Sequence, residues 1–184
     1  MNRQKFLLKL RKYGIENTVP NITDVNAKFL VDLIKISKTK NMLEIGTANG
    51  FSGINFAIEL EKIEGKLITI DFSPKSHNEA LENFKIAEVD NIISAILGNA
   101  LDEIPKLQDE FFDFIFIDGM KKRSGEFLEL CLPKAKSGAI IIIDDVLKFK
   151  DKMITLRDYL EKTKIEYNIL PLDPDDGILM IIKE

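Results

Sequence analysis

The feature that most constrains this chain is a regular alternation of two kinds of apolar segment. Short β-type runs, NMLEIG (41–46), KLITID (66–71), IISAIL (92–97), FFDFIFID (111–118) and GAIIIID (138–144), are separated by longer amphipathic stretches. Several of the runs are continuously apolar, as strands of a parallel sheet buried on both faces must be. The stretches between them predict helices near 51–62, 75–88, 101–107 and 124–132. An earlier helix near 24–37 puts Val25, Phe29, Leu30, Leu33 and Ile34 on one face, with Thr23 as its N-cap. A later one near 150–162 does the same with Met153, Leu156, Tyr159 and Leu160.

The C-terminal segment breaks the alternation. EYNILP (166–171) and GILMIIK (177–183) are joined only by a short LDPDD turn. A parallel crossover needs a dozen or so residues, so these two strands must form an antiparallel hairpin. The expected architecture is α/β: a mostly parallel seven-stranded sheet, a C-terminal antiparallel hairpin and helices on both faces. At 184 residues the chain suits one domain. Residues 1–19 read as an N-terminal helical extension and 20–184 as the core. No repeat, low-complexity segment or Gly/Ser linker interrupts it.

Composition narrows the partners. The formal net charge is −4, so the chain as a whole is no polycation built to coat nucleic acid. A single cysteine, Cys131, rules out an intramolecular disulfide, and a reducing cytoplasm is the expectation. No apolar run approaches the roughly 18 residues of a membrane span, and the start, MNRQKFLLKLRKYG, is too charged for a secretory signal.

In an open α/β sheet, ligands sit beyond the carboxyl ends of the strands. After the first strand comes LEIGTANGFSG (43–53), in which Gly46 and Gly50 flank a tight turn before a helix. A dinucleotide fingerprint would need G-x-G-x-x-G, but Ala48 takes the middle position and Phe51 the third, a poor fit to pyrophosphate. Glu44 is a carboxylate in an apolar strand, costly without a partner. A cationic amino-acid ligand would supply one, while a plain turn with a capped Glu is the competing explanation. The second strand ends at Asp71, about 20 residues past the loop, where an acid accepts hydrogen bonds from ribose hydroxyls or caps the next helix. The third ends in GNALDEI (98–104), whose Gly98–Asn99 turn would edge an adenine. The three signals follow three successive strands, and together they say more than any one alone.

From about Pro20 to the C-terminus the chain resembles the class I S-adenosylmethionine-dependent methyltransferases of the catechol and caffeoyl-CoA O-methyltransferase type. The residues that carry the resemblance are LEIGTANGFS, Asp71, GNALDEIP, FDFIFIDGMKK (112–122) and IIIIDDVL (140–147). The resemblance implies a Rossmann-like methyltransferase fold and S-adenosylmethionine as cofactor. It implies that Glu44, Gly46, Thr47, Gly50 and Ser52 line the methionine side, and that Asn21, Ile22 and Thr23 close over the same end. Asp71 would hold the ribose, and Asn99 with Ala100 the adenine edge. Asp118 would border both cofactor and metal.

The same resemblance implies a divalent metal, Mg²⁺ or Mn²⁺, on Asp118, Asp144 and Asp145. The sequence argues for it independently. Asp118 ends the fourth strand and the other two end the fifth. Neighbouring strands lie roughly 4.8 Å apart, so the carboxylates would repel unless protonated or bridged by a cation. An all-oxygen set suits a hard divalent ion. Caps on loops or helices would explain one or two of these acids equally well. Lys121 matches the family's catalytic lysine, although Lys122 and Arg123 beside it are what a solvated loop would show. The chain departs from the family pattern in two places. Asp145 stands where asparagine is usual, and Gly-Met-Lys-Lys-Arg-Ser follows Asp118 where relatives commonly have Ala-Asp-Lys and a tyrosine.

The expected activity is therefore O-methylation of a hydroxyl on a small molecule or a hydroxylated tRNA base. Metal-independent methyl transfer and a Rossmann NAD-dependent oxidoreductase are the alternatives. Lys121, Lys122 and Arg123, then Lys148, Lys150 and Lys152, predict a basic rim that would steer an anionic substrate. Arg3, Lys5, Lys9, Arg11 and Lys12 of the N-terminal helix would add to it, and Asp151, Asp173, Asp175 and Asp176 would balance it in part. Relatives are often homodimers, and the resemblance points the same way here. His77 reads as an exposed residue at a helix start, and Cys131 as core.

Overall fold

The computed structural model describes residues 2–174 and 176–184. Its frame is a seven-stranded sheet made of β1 (Asn41–Ile45), β2 (Lys66–Asp71), β3 (Ile93–Leu97), β4 (Phe112–Ile117), β5 (Ala135–Ile143), β6 (Asn168–Asp173) and β7 (Asp176–Ile182). The spatial order is β3-β2-β1-β4-β5-β7-β6. The first five strands pair in parallel, and β7 runs antiparallel to both β5 and β6. The chain moves outward from β1 to β3 and returns to β4, so the switch in strand order falls between β1 and β4.

Strand alternation sorts side chains onto two faces. Met42, Phe114, Phe116 and Ile142 join one core with α1 (Arg3–Glu16), α2 (Asp24–Ser37), α3 (Phe51–Glu61) and α4 (Pro74–Ile86). Leu43, Ile45, Ile115, Ile117 and Ile141 join the other with α5 (Ala100–Glu103), α6 (Ser124–Cys131) and α7 (Ile154–Thr163). On the first face Phe56 meets Phe116 edge-on, with ring centroids 5.6 Å apart. Cys131 is fully buried on the second.

Thr23 caps α2 as expected, its Oγ1 accepting from Asn26 N at 3.2 Å. The buried face of that helix is shifted, however. Asn26, Ala27, Leu30 and Ile34 point inward, while Val25 is 55% exposed. A polar residue thus occupies a core position, and its partner lies across the molecule.

Three expected boundaries move. β5 starts at Ala135 rather than 138 because Gly138, at φ +79°, interrupts the strand, and its pairing with β4 shifts register there. The helix expected over 101–107 ends at Glu103 and continues as a 3₁₀ turn, Ile104–Lys106, since Pro105 has no N–H to give an α-helical bond. The last helix begins at Ile154, not 150. Residues 146–152 are consecutive turns closed by Phe149 N to Asp145 O and Lys152 N to Phe149 O.

Candidate active site

A cavity of about 1100 Å³ opens above the carboxyl ends of β1, β2, β4 and β5. One end is the glycine loop. Gly46 adopts φ +101° and Gly50 φ +84°, and Ala48 between them takes φ +47°. A Cβ on Gly46 would lie 2.5 Å from Asp118 O, and one on Gly50 would lie 2.5 Å from Phe84 Cε1. Both glycines are therefore demanded by the chain's own packing. Gly46, Thr47 and Ser52 line the cavity, whereas Gly50 and Glu44 lie behind its wall.

Glu44 is fully buried, and its partners are hydroxyls of this chain. Ser52 Oγ donates to Oε1 at 2.5 Å and Thr69 Oγ1 donates to Oε2 at 2.6 Å. That corrects the expectation that a cationic ligand answers this carboxylate. Burial pushes Glu44 up to about 7, against the pull of the two hydroxyls, and the negative Asp118 and Asp71 add to the rise.

Asp71 lines the cavity and holds the loop as well. Its Oδ2 accepts from Thr47 N and Ala48 N, each at 3.0 Å, and its Oδ1 accepts from Ser73 N at 2.8 Å. Phe72, 66% exposed, lies beside it on the wall, an aromatic the sequence did not single out. Asn99 caps α5 by accepting from Leu101 N at 3.2 Å, and with Ala100 it borders the same end. Asn21, Ile22 and Thr23 form the roof over the loop, as expected. His77, further along α4, is half-buried rather than exposed.

The other end is charged. Asp118, Asp144, Asp145 and Lys121 all line it. Lys121 Nζ lies 2.5 Å from Asp118 Oδ1 and 2.7 Å from Asp145 Oδ2, bridging the ends of β4 and β5. Asp144 takes no part in that bridge. Its Oδ1 accepts from Asn26 Nδ2 at 3.1 Å, across 118 residues of sequence. Asp145 sits at φ +66°, an unusual backbone for a side chain other than glycine.

Burial raises Asp144 to about 8, and the charges of Asp118 and Asp145 add to it. Burial also raises Asp118, against the pull of Lys121. Asp145 is lowered, because hydrogen bonds from Asp176 and Lys121 outweigh its burial. Burial alone would lower Lys121, but the two carboxylates reverse the sign and hold it firmly as ammonium.

Asp176 is the acid that sequence reasoning undervalued. It is 7% exposed and hydrogen-bonded to Asp145, and burial followed by that contact pushes it up to about 6. Its Oδ1 accepts from Gly177 N at 2.6 Å, Lys148 N at 3.2 Å and Leu147 N at 3.3 Å, which fixes the turn after β5. A lone acid opening an otherwise apolar strand, Asp176-Gly177-Ile178, was the available signal.

Among the described residues no three acid, histidine or cysteine side chains converge as a ready metal cage. The donor chemistry nevertheless fits a hard divalent ion. Two carboxylates share one ammonium and a third lies beside them, and burial first, then their mutual repulsion, raises Asp118 and Asp144. Lys121 is what such an ion would have to displace.

The basic rim is smaller than expected. Arg123, Lys148 and Lys152 border the cavity, with Lys75 on the cofactor side, but Lys122 and Lys150 do not. Lys148 and Lys152 both lie over the ring of the rim's Phe149, 5.5 and 4.9 Å from its centroid. None of Arg3, Lys5, Lys9, Arg11 and Lys12 reaches the cavity. Arg3 pairs with Glu61 at 2.5 Å, and Arg11 stacks over Phe51 at 5.7 Å. Asp173 and Asp176 line the cavity and Asp151 does not, while Asp175 lies outside the described residues. No helix among the described residues is long and apolar enough to cross a membrane.

A parallel sheet closed by a reversed C-terminal hairpin, with its cavity above the β1–β4 switch and a glycine loop at one end, defines a Rossmann-like methyltransferase domain. The chain belongs to the O-methyltransferase family, whose model matches residues 1–178. It is 33% identical over 121 residues to a catechol O-methyltransferase of Mycobacterium tuberculosis, covering 66% of this chain and 54% of that one. It is 34% identical over 131 residues to a catechol O-methyltransferase of Niastella koreensis, covering 70% and 59%. The matched stretch thus spans little more than half the length of these relatives. Among solved structures, an O-methyltransferase from Bacillus cereus in complex with SAH superposes with a TM-score of 0.85 at 25% identity, covering 97% of this chain and 91% of that one.

Proposed function

We propose that this protein transfers the methyl group of S-adenosylmethionine to a hydroxyl oxygen. The observation that carries this reading is the two-ended cavity. A hydroxyl-lined glycine loop with Asp71 and Asn99 suits an amino-acid nucleoside at one end. A buried carboxylate–lysine cluster suits a polar acceptor at the other. Ala48 in place of a middle glycine counts against a dinucleotide. The Bacillus cereus relative, solved with SAH, supports the cofactor.

The cofactor carries the reactive group, so the protein's work is positioning and electrostatics. The roof of Asn21, Ile22 and Thr23 would keep water from the sulfonium. Lys121, held as ammonium, faces the acceptor end, where it would stabilise the acceptor oxygen as the hydroxyl proton passes to solvent water and the oxygen attacks the methyl carbon. The sulfur then departs as a neutral thioether. Asp118, Asp144 and Asp145 would hold a divalent ion, which would supply Lewis-acid polarisation of the acceptor oxygen.

A second reading is methyl transfer without metal. The Lys121 bridge favours it, because an ammonium already spans Asp118 and Asp145. For the substrate, the Lys148–Phe149–Lys152 stack with Arg123 supports an anion carrying a planar group. A coenzyme A thioester or a hydroxylated tRNA base fits that description, and a small neutral phenol fits less well.

Thermal shift with S-adenosylhomocysteine, NAD and divalent ions tests the whole reading. Stabilisation by S-adenosylhomocysteine and by Mg²⁺ or Mn²⁺ is the expected pattern. A response to NAD alone would overturn it, and S-adenosylhomocysteine alone, with activity indifferent to chelator, would select the metal-free reading.

A further inference from the structure

The hydroxyl network behind the glycine loop has a direction. Ser52 and Thr69 both donate to Glu44, so neither has a hydrogen left for anything else. Thr47 Oγ1 lies 2.6 Å from Thr69 Oγ1, and since Thr69's hydrogen is spent, Thr47 must be the donor in that pair. With Glu44 ionised, Ser52 and Thr47 therefore show the cavity lone pairs only. A proton on Oε1 reverses Ser52, which then accepts from Glu44 and turns its own hydrogen toward the cavity. A proton on Oε2 runs the other way, through Thr69 to Thr47. The first case frees a hydroxyl donor on Ser52, which is 9% exposed at the wall; the second ends on Thr47, which is 1% exposed, so Ser52 carries most of the effect.

We infer that Glu44 sets the hydrogen-bonding polarity of the loop end through Ser52 and the Thr69–Thr47 relay, and takes up a proton when a ligand carboxylate docks on those hydroxyls. This rests on the proposed cofactor, whose amino-acid end carries such a carboxylate. The surroundings favour that direction. Glu44 touches Ser52 of α3 and Thr69 of β2, and its charged neighbours are Asp71 at the end of β2 and Asp118 at the end of β4, both acids. Gly53 lies 3.3 Å away and Phe84 packs beyond it, neither of them charged. Among the described residues no cation balances Glu44, so a second carboxylate arriving at Ser52 favours its neutral form. The group is poised for this, since its pKa already stands near 7. The ligand's ammonium is left to the acidic end of the cavity. Glu44 is thus a positioning residue: it never meets the ligand, and acts only through hydroxyls that do.

The test is calorimetric binding of S-adenosylhomocysteine between pH 6.5 and 8.5, in buffers of different ionisation enthalpy, for wild type, Glu44→Gln and Ser52→Ala. Wild-type proton uptake should rise from about a quarter of a proton at pH 6.5 to nearly one at pH 8.5, with affinity falling by up to about tenfold per pH unit above 7. Glu44→Gln mimics the neutral acid, with one donor and one acceptor, and should bind with no proton uptake and little pH dependence. Ser52→Ala should bind more weakly at pH 6.5 and lose most of the uptake, which decides the matter even if Glu44→Gln folds poorly. Tight wild-type binding without proton uptake, or an unchanged pH slope in Glu44→Gln, would overturn the inference and leave the cofactor reading intact. No binding by wild type at any pH would overturn both.

Discussion

The two ends of the cavity solve the same problem differently. Each buries carboxylates at the carboxyl ends of strands. At the loop end, Glu44 and Asp71 are met wholly by short-range hydrogen bonds from hydroxyls and backbone N–H groups. At the acceptor end, Asp118 and Asp145 are met by a full ammonium, and Asp144 by one amide. Neutral donors give a rigid shape but do not neutralise the carboxylate they hold, so Glu44 stands near 7. An ion pair in a partly enclosed site leaves charge that responds to pH, to metal and to substrate. Under the proposed function, the first end recognises and the second reacts.

Variants that separate the ends should behave accordingly. Gly46→Val strikes the point where they touch, since its Cβ would collide with the Asp118 carbonyl at a φ foreign to valine. The expected loss is about 3 kcal/mol or more, together with all cofactor binding, read by denaturant unfolding and calorimetry. Normal stability in that variant would mean the ends are not joined there.

Lys121→Met should cost about 2–3 kcal/mol at pH 8 by stranding two carboxylates. Asp118 and Asp145 would then have folded pKa values above their unfolded ones. Stability should be kept at pH 4 and lost as pH rises, so the melting temperature falls further at pH 8 than at pH 5. Cofactor affinity should hardly change while methyl transfer collapses.

Glu44→Gln should act with the opposite sign. The wild-type carboxyl sits near 7 against an ordinary 4.5, so the native state loses stability as pH rises between those values. The neutral variant escapes that loss and should gain up to about 3 kcal/mol at pH 8, and nothing at pH 4. Equal melting temperatures at pH 8 would place the charge of Glu44 in better company than the hydroxyls provide.

The smallest effect belongs to Asn26→Leu. Asp144 loses its only amide donor, at a cost of about 1 kcal/mol, and an added divalent ion should recover most of it. A larger loss that metal does not recover would show that Asn26 serves packing rather than the carboxylate.

Much of the loop end was legible because its residues follow strands at fixed offsets. Gly46, Asp71 and Asn99 sit at or just past the end of an apolar run and Ser52 opens the helix after the glycine loop, so period and topology place them. Glu44 was legible as an anomaly, though its partners were not, because Thr69 lies on the neighbouring strand in a register that only pairing reveals. The acceptor end was half legible. Asp118, Asp144 and Asp145 end strands, and Lys121 follows at helical spacing. Asn26 and Asp176 reach the same place from α2 and β7, and no local pattern ties residues so far apart in sequence. Lys122 and Lys150 looked like rim residues because charge can be counted in a sequence, whereas the direction a side chain takes from a 3₁₀ or turn segment cannot.

The reversal of β7 has one more consequence. The parallel strands arrive at the mouth and must leave by long helical detours, so any change in their last residues is transmitted into a helix. β7 departs from the mouth instead, after a tight turn from β6 in which Pro174 is exposed to solvent. Asp173 can therefore change identity with the rest of the scaffold left in place, whereas Asp176 also holds the turn after β5 and must stay. The hairpin works like an interchangeable tip on a fixed tool, a place where evolution or an engineer can retune what the mouth admits.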